Sequence, residues 1–188
     1  MSLRRDKVYF DMEDLSLHIL DIVENSLSAG ATLVEIIICV DTKNDQLMIT
    51  IRDNGKGMDK NMLNNVRDPF ITTRTTRRVG LGISLLEQSA LEADGDIVIS
   101  SELGKGTEII ATFKNSHIDR RPLGDIGSTI ILLIHGNPDI DFIYETNYDG
   151  VEMKLDTREI KAELEGVSIT TPAVLKLIRD LFEEMPVF

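Results

Sequence analysis

The chain has 188 residues, 42% of them apolar, which supports one ordinary hydrophobic core with a small appended unit. Its formal net charge of −12 argues against a duplex-binding surface, because phosphate contacts need clustered Lys and Arg. No apolar run approaches the roughly 20 residues that span a bilayer, there is no signal-peptide pattern, and a single cysteine excludes a disulfide framework. We therefore expect a cytoplasmic protein that binds neither nucleic acid nor membrane.

The first part of the chain predicts the order helix, strand, strand, helix, strand, strand. Apolar residues at helical spacing predict a helix over 14–28, with Gly30 suited to its end. Runs rich in β-branched residues predict the strands, and a glycine-rich start precedes the second long helix. Cys39 lies in one such run and is expected to be a small buried residue. The further predicted elements are strands over 33–41, 46–52, 96–101 and 107–113 and helices over 59–65 and 82–93.

From about Asn115 the character of the sequence changes, and we expect a second, smaller α+β unit. The apolar segment 126–134 is compatible with a helix or a buried strand, and Gly127 and Ser128 favour the helix. A hairpin is predicted over 141–155, followed by helices over 157–164 and 172–185. We therefore divide the chain into residues 1–114 and an appendage of residues 115–188. Its apolar residues need a partner, so it should extend the first unit's sheet or self-associate as a homodimer.

Four short glycine- or carboxylate-containing motifs follow one another along the first unit. They are DIVEN at 21–25, DNGKGM at 53–58, VGLGI at 79–83 and GKGT at 104–107. Each alone has an ordinary explanation. His18, Asp21, Asn25 and Ser28 form a polar helix stripe that is usually solvated, and the glycine turns favour tight connections generally.

Together and in this order, the motifs resemble the N, G1, G2 and G3 boxes of the ATP site shared by gyrase, Hsp chaperones, histidine kinases and mismatch-repair ATPases. This group is the GHKL superfamily, and the resemblance covers residues 14–114. It implies the Bergerat fold, an α+β two-layer sandwich of a mixed sheet with helices on one face. It also implies that the chain binds ATP with Mg²⁺.

The resemblance assigns candidate roles to residues of the first, second and fourth motifs. Asn25 would hold Mg²⁺ through its side-chain oxygen, a hard ligand that suits this ion. Asp21 would be the catalytic base, although it is one methylene shorter than the glutamate of mismatch-repair ATPases; Glu24 lies ~100° around the helix from Asn25 and is rejected.

The adenine contacts are assigned to the second and fourth motifs. Asp53 would accept a hydrogen bond from the adenine amine, and Thr107 would touch the adenine edge. Gly55 and Gly57 would let the backbone approach the nucleotide with positive φ.

The phosphate contacts are expected between the second and third motifs. Residues 67–78 resemble the F box and lid of a histidine kinase, in which Phe70 packs under the lid. Arg74 is the best candidate for a phosphate contact among the four arginines there. Gly80, Leu81 and Gly82 open the second long helix, whose free N–H groups suit a phosphate.

The sequence leaves three functions open. The first is a stand-alone module that phosphorylates a separate partner protein. The others are a slow ATPase and a non-catalytic ATP sensor, whose nucleotide state controls a partner-binding surface. None of His18, His117 and His135 has the setting of a kinase phosphoacceptor, which is normally on a long dimerising helix pair.

Overall fold

The structure is a computed structural model that describes residues 14–66 and 81–183. Its strands, numbered in chain order, are β1 (Leu33–Asp41), β2 (Gln46–Asp53), β3 (Asp96–Glu102), β4 (Gly106–Lys114), β5 (Asp141–Tyr148) and β6 (Val151–Asp156). They form one six-stranded sheet in the order β3-β4-β2-β1-β5-β6. Neighbouring strands run antiparallel except β1 and β5, which run parallel, so the sheet is mixed as expected.

The helices of the described residues are α1 (Leu15–Ser28), α2 (Lys60–Asn65), α3 (Leu81–Glu92), α4 (Ile126–Gly136), α5 (Thr157–Glu163) and α6 (Pro172–Glu183). Helix α1 begins where the Asp14 side chain accepts a hydrogen bond from the Leu17 N–H, which satisfies one of the free donors of the first turn. Gly30 follows its end with φ +79°. Within the described ranges, no helix is long and apolar enough to cross a membrane.

The core lies between one face of the sheet and the helices α1, α3 and α4. Alternate residues of β1 are buried against these helices, because successive side chains of a strand point to opposite faces. Cys39 belongs to the other set and is partly exposed, so the expectation that it is buried was wrong. The α1 stripe that faces the sheet is fully buried and comprises Leu15, Ile19, Ile22 and Val23.

The apolar segment after residue 125 forms the helix α4. The chain then leads into strand β5, which pairs with β1. Asp125 caps α4 by accepting a hydrogen bond from the Ser128 N–H. Strands β5 and β6 continue the sheet of the first unit, and α4 packs against both α1 and α6. The Phe182 ring of α6 packs against Tyr144 at a tilt of 45°, with ring centroids 5.3 Å apart. The sheet is continuous across residue 115, and the division into two units there stays a prediction.

Candidate functional site

The carboxylate of Asp53, at the end of β2, is held from two sides. The Ser26 hydroxyl on α1 donates to Oδ2 at 2.7 Å, and the Gly55 N–H donates to Oδ1 at 2.9 Å. Thr107 lies directly opposite Asp53 on the neighbouring strand β4. Its hydroxyl is 3.0 Å from that of Ser101. The sheet thus brings together two candidate residues that are far apart in the sequence.

The two glycine turns beside Asp53 pack backbone against backbone. Gly57 has φ +65°, and a Cβ there would come within 2.0 Å of the Glu102 carbonyl oxygen. Gly106 has φ +100°, and its Cβ would meet the Asp53 carbonyl oxygen at 1.9 Å. The positive φ expected at Gly57 is present, whereas Gly55 does not adopt one. The close approach that requires Gly57 is to the neighbouring turn, since the carbonyl of Glu102 fills the space of a side chain.

Asp21 and Asn25 lie one turn apart on α1 and are both half-buried, and Asp21 is beside the start of α3. A Cβ on Gly82 would stand 2.8 Å from the Cβ of Asp21, so only glycine lets the two helices approach this closely. The first turn of a helix carries N–H groups without intrahelical partners, and this turn is beside Asp21. The described geometry therefore places the Asp21 carboxylate next to a helix start that suits an anion, with the Asn25 amide one turn farther along α1.

The electrostatics of this corner favour a proton acceptor and an oxygen ligand. Burial, and then the Glu24 carboxylate, raises the pKa of Asp21 above its ordinary value. Glu24 itself is exposed. Among residues 14–66 and 81–183, the Asn25 side chain has no hydrogen-bond partner, which leaves its oxygen available to a ligand. Hard oxygen donors on a helix that borders a helix start suited to phosphate are a donor set that fits Mg²⁺ with a triphosphate.

His18 departs from the expected polar stripe, because it is only 2% exposed. Neither ring nitrogen has a hydrogen-bond partner among the described residues. The segment before α4 covers this end of α1, where the Leu15 N–H donates to the Pro122 carbonyl at 2.9 Å. Burial and the Arg121 guanidinium lower the pKa of His18 from 6.5 to about 4, against the opposing Asp14 carboxylate. His18 is therefore neither solvated nor accessible to a phosphoryl donor.

Several predicted site residues lie outside the described part of the chain. These are Arg74, Gly80 and the lid residues Arg67, Phe70, Arg77 and Arg78, and the side chain of Leu81. Conversely, Ser26 was missed at the sequence level. It directly follows Asn25, but no local pattern links it to Asp53, which is 27 residues away.

A family profile matches residues 10–117, and its family is described as histidine kinase-, DNA gyrase B- and HSP90-like ATPase. A putative sensor protein of Shewanella frigidimarina is 36% identical over 106 residues, which are 55% of this chain and 16% of that protein. Sporulation kinase E of Bacillus subtilis is 30% identical over 103 residues, which are 53% of this chain and 14% of the kinase. The chain thus spans about a sixth or less of the length of these relatives.

Among solved structures, the crystal structure of the N-terminal domain of a DNA repair protein has a TM-score of 0.52 and 17% identity. The alignment covers 76% of this chain and 52% of that chain. At this identity the similarity concerns the fold, a Bergerat-type α+β sandwich. Because the family profile covers more than half of the chain, the chain belongs to the family of histidine kinase-, DNA gyrase B- and HSP90-like ATPases and carries its ATP-binding, histidine-kinase-like module.

Proposed function

We propose that this chain is a cytoplasmic kinase module that uses Mg²⁺ and ATP to phosphorylate a separate partner protein. The observation that carries the proposal is the arrangement along α1. Asp21 stands against the first turn of α3, Asn25 lies one turn farther along α1, and Ser26 reaches the Asp53 carboxylate at 2.7 Å. One helix thus connects a corner suited to phosphate with a carboxylate suited to adenine. The similarity to a sensor protein and to sporulation kinases supports a kinase.

In this proposal each described residue has one task. Asp53 accepts a hydrogen bond from the adenine 6-amino group, and Thr107 contacts the same base from the neighbouring strand. Asn25 provides an oxygen ligand for Mg²⁺, and the first turn of α3 binds phosphate, with Gly82 permitting its close approach to α1. Bound ATP supplies the phosphoryl group, and Mg²⁺ offsets the negative charge of the phosphates.

The histidines of this chain support a phosphoacceptor on another protein. His18 is buried. His117 is half-buried between the Asp94 and Asp119 carboxylates, at 3.6 and 3.9 Å. His135 is exposed in the last turn of α4, a short helix that packs on α1 and α6. None of these settings is a long exposed helix that could present an imidazole to a nucleotide domain.

The test is phosphate transfer from γ-labelled ATP with Mg²⁺. The wild-type protein and the Asp53→Asn variant are each incubated with native lysate from which the endogenous protein has been depleted. We expect label on a second protein with the wild type and a strong loss with Asp53→Asn, because the amide presents a donor to the adenine amine. Calorimetry should show the matching loss of ATP affinity. Unchanged ATP affinity in Asp53→Asn would remove the assignment, and label recovered only as free phosphate would refute the kinase.

Asp21 supports a second candidate function, a slow ATPase or ATP-sensing regulator whose nucleotide state controls a partner surface. A raised pKa makes its carboxylate a better proton acceptor, yet its side chain is short for placing a water. General-base positioning contributes about 10²–10⁴-fold to a rate, so hydrolysis should be slow and should rise with pH as Asp21 ionises. Phosphate release that disappears in Asp21→Asn and increases in Asp21→Glu would favour this function. Hydrolysis that survives Asp21→Asn would exclude Asp21 as its base.

A further inference from the structure

The Asp53 carboxylate accepts a hydrogen bond from Ser26, a side chain to which no role has yet been assigned. Ser26 is 4% exposed, and its hydroxyl lies 2.7 Å from Asp53 Oδ2 and 3.3 Å from the Ile22 carbonyl oxygen. A hydroxyl has one proton to donate. The shorter and charge-assisted contact takes that proton, because hydrogen bonds to ionised acceptors are the stronger ones.

We propose that Ser26 is a positioning residue that makes Asp53 selective for a purine with an amino group at position 6. This inference rests on the proposed adenine contact of Asp53 and adds the residue that orients it. Ser26 fixes one carboxylate oxygen, and the Gly55 N–H fixes the other at 2.9 Å. With both oxygens held, the carboxylate can present its remaining lone pairs in only one plane.

The chemistry explains the selectivity. An ionised carboxylate is an acceptor only, and two of its roughly four lone-pair sites are used by Ser26 and Gly55. The remaining sites suit the 6-amino group of adenine. The 6-carbonyl of hypoxanthine offers no donor and would face the same lone pairs. A site built to receive a donor rejects the analogue that lacks it, because its buried acceptor is then left unpaired.

Removal of the Ser26 hydroxyl should loosen the carboxylate without moving the turn that carries it. The turn has its own attachments to the end of α1 and the start of β1. The Lys56 N–H donates to the Ala29 carbonyl at 3.0 Å. The Asn54 side-chain oxygen accepts from the Thr32 and Leu33 N–H groups at 2.8 and 2.9 Å. These contacts do not involve the Ser26 side chain, so the expected effect is on nucleotide discrimination.

The experiment measures the affinities of the full chain for ATP and for inosine triphosphate, which carries the 6-carbonyl, by calorimetry with Mg²⁺. The variants are Ser26→Ala and Ser26→Thr, which keeps a hydroxyl. Ser89→Ala is the matched control, since Ser89 is 1% exposed on α3 and its hydroxyl has no partner among the described residues. We expect Ser26→Ala to lower the ratio of ATP to inosine triphosphate affinity by roughly tenfold, mostly through ATP. Ser26→Thr and Ser89→Ala should keep the wild-type ratio.

An unchanged ratio in Ser26→Ala would overturn the inference. If the ratio is unchanged because both nucleotides lose affinity equally, Ser26 has a structural role only. If Ser26→Ala does not fold, Ser26→Cys replaces it, because the thiol fills the same space with a weak donor. The Asp53→Asn variant distinguishes a failure of the Ser26 inference from a failure of the proposed function. If Asp53→Asn lowers ATP affinity and Ser26→Ala leaves the ratio unchanged, the adenine contact stands and the role of Ser26 does not.

Discussion

Lowering the pH below neutrality should destabilise the folded protein through His18. This imidazole is buried on α1 without a hydrogen-bond partner among the described residues, and its pKa falls from 6.5 to about 4 on folding. Between these two values the unfolded chain binds a proton that the folded chain does not. The free energy of unfolding therefore decreases as the pH falls through this window, and the full contribution of His18 is present only above 6.5.

The magnitude follows from the two pKa values. Each unit of difference corresponds to about 1.36 kcal/mol. Between about pH 7.5 and about pH 5 the loss from His18 alone is about 2 kcal/mol, and it approaches about 3 kcal/mol near pH 4. Single domains have total stabilities of about 5–15 kcal/mol, so the effect should be easy to measure.

The assay is urea unfolding of the wild type and His18→Leu at a series of pH values. The leucine removes the titrating group while it keeps an apolar side chain at the buried position. We expect the stability of the variant, relative to the wild type, to increase by about 2 kcal/mol as the pH is lowered from about 7.5 to about 5. His135→Gln is the control, because His135 is exposed. Parallel pH profiles for the wild type and His18→Leu would refute the reasoning.

Three further predictions follow from the site and the sheet. Asn25→Ala should weaken Mg·ATP binding far more than Glu24→Ala, because residue 25 shares the helix face of Asp21, which borders the start of α3, and residue 24 does not; equal losses in calorimetry would contradict this. Gly106→Ala should destabilise the fold by more than about 1 kcal/mol and more than Gly104→Ala, as a Cβ at 106 strikes the β2 backbone while 104 has open space. Similar melting temperatures of the two variants would argue against that packing. A chain ending at Asn115 should be less stable or self-associate, since it exposes the edge of β1; a stable monomer in size-exclusion chromatography would show otherwise.

Local patterns were sufficient for most of the secondary structure. The helical spacing of Leu15, Ile19 and Ile22 predicted α1, and the structure has it at Leu15–Ser28. A run rich in β-branched residues predicted β1 at the bounds that the structure shows. The segment after residue 125 was ambiguous, because a short apolar run is compatible with a buried strand as well as a helix. Its burial against α1 and α6 as well as the sheet explains why it is apolar on most sides.

Some residues of the candidate site could be found from local motifs, and others could not. The motifs pointed to Asp21, Asn25, Asp53 and Thr107 by type and order. They did not reveal that Ser26 holds Asp53, or that His18 is buried. Both facts depend on segments that are distant in the chain, the end of β2 in one case and the segment before α4 in the other.

The sequence by itself determined the elements, because these depend on local periodicity. Its four motifs carried the resemblance that gave the family and implied ATP as the ligand. Only the tertiary structure decided that β5 pairs with β1 in parallel. It also decided that Gly57 and Gly106 lie where two turns pack closely against each other. It alone decided which oxygen of Asp53 receives which donor. Such features arise from pairing between distant segments, and the strength of that pairing depends on packing that no local pattern encodes.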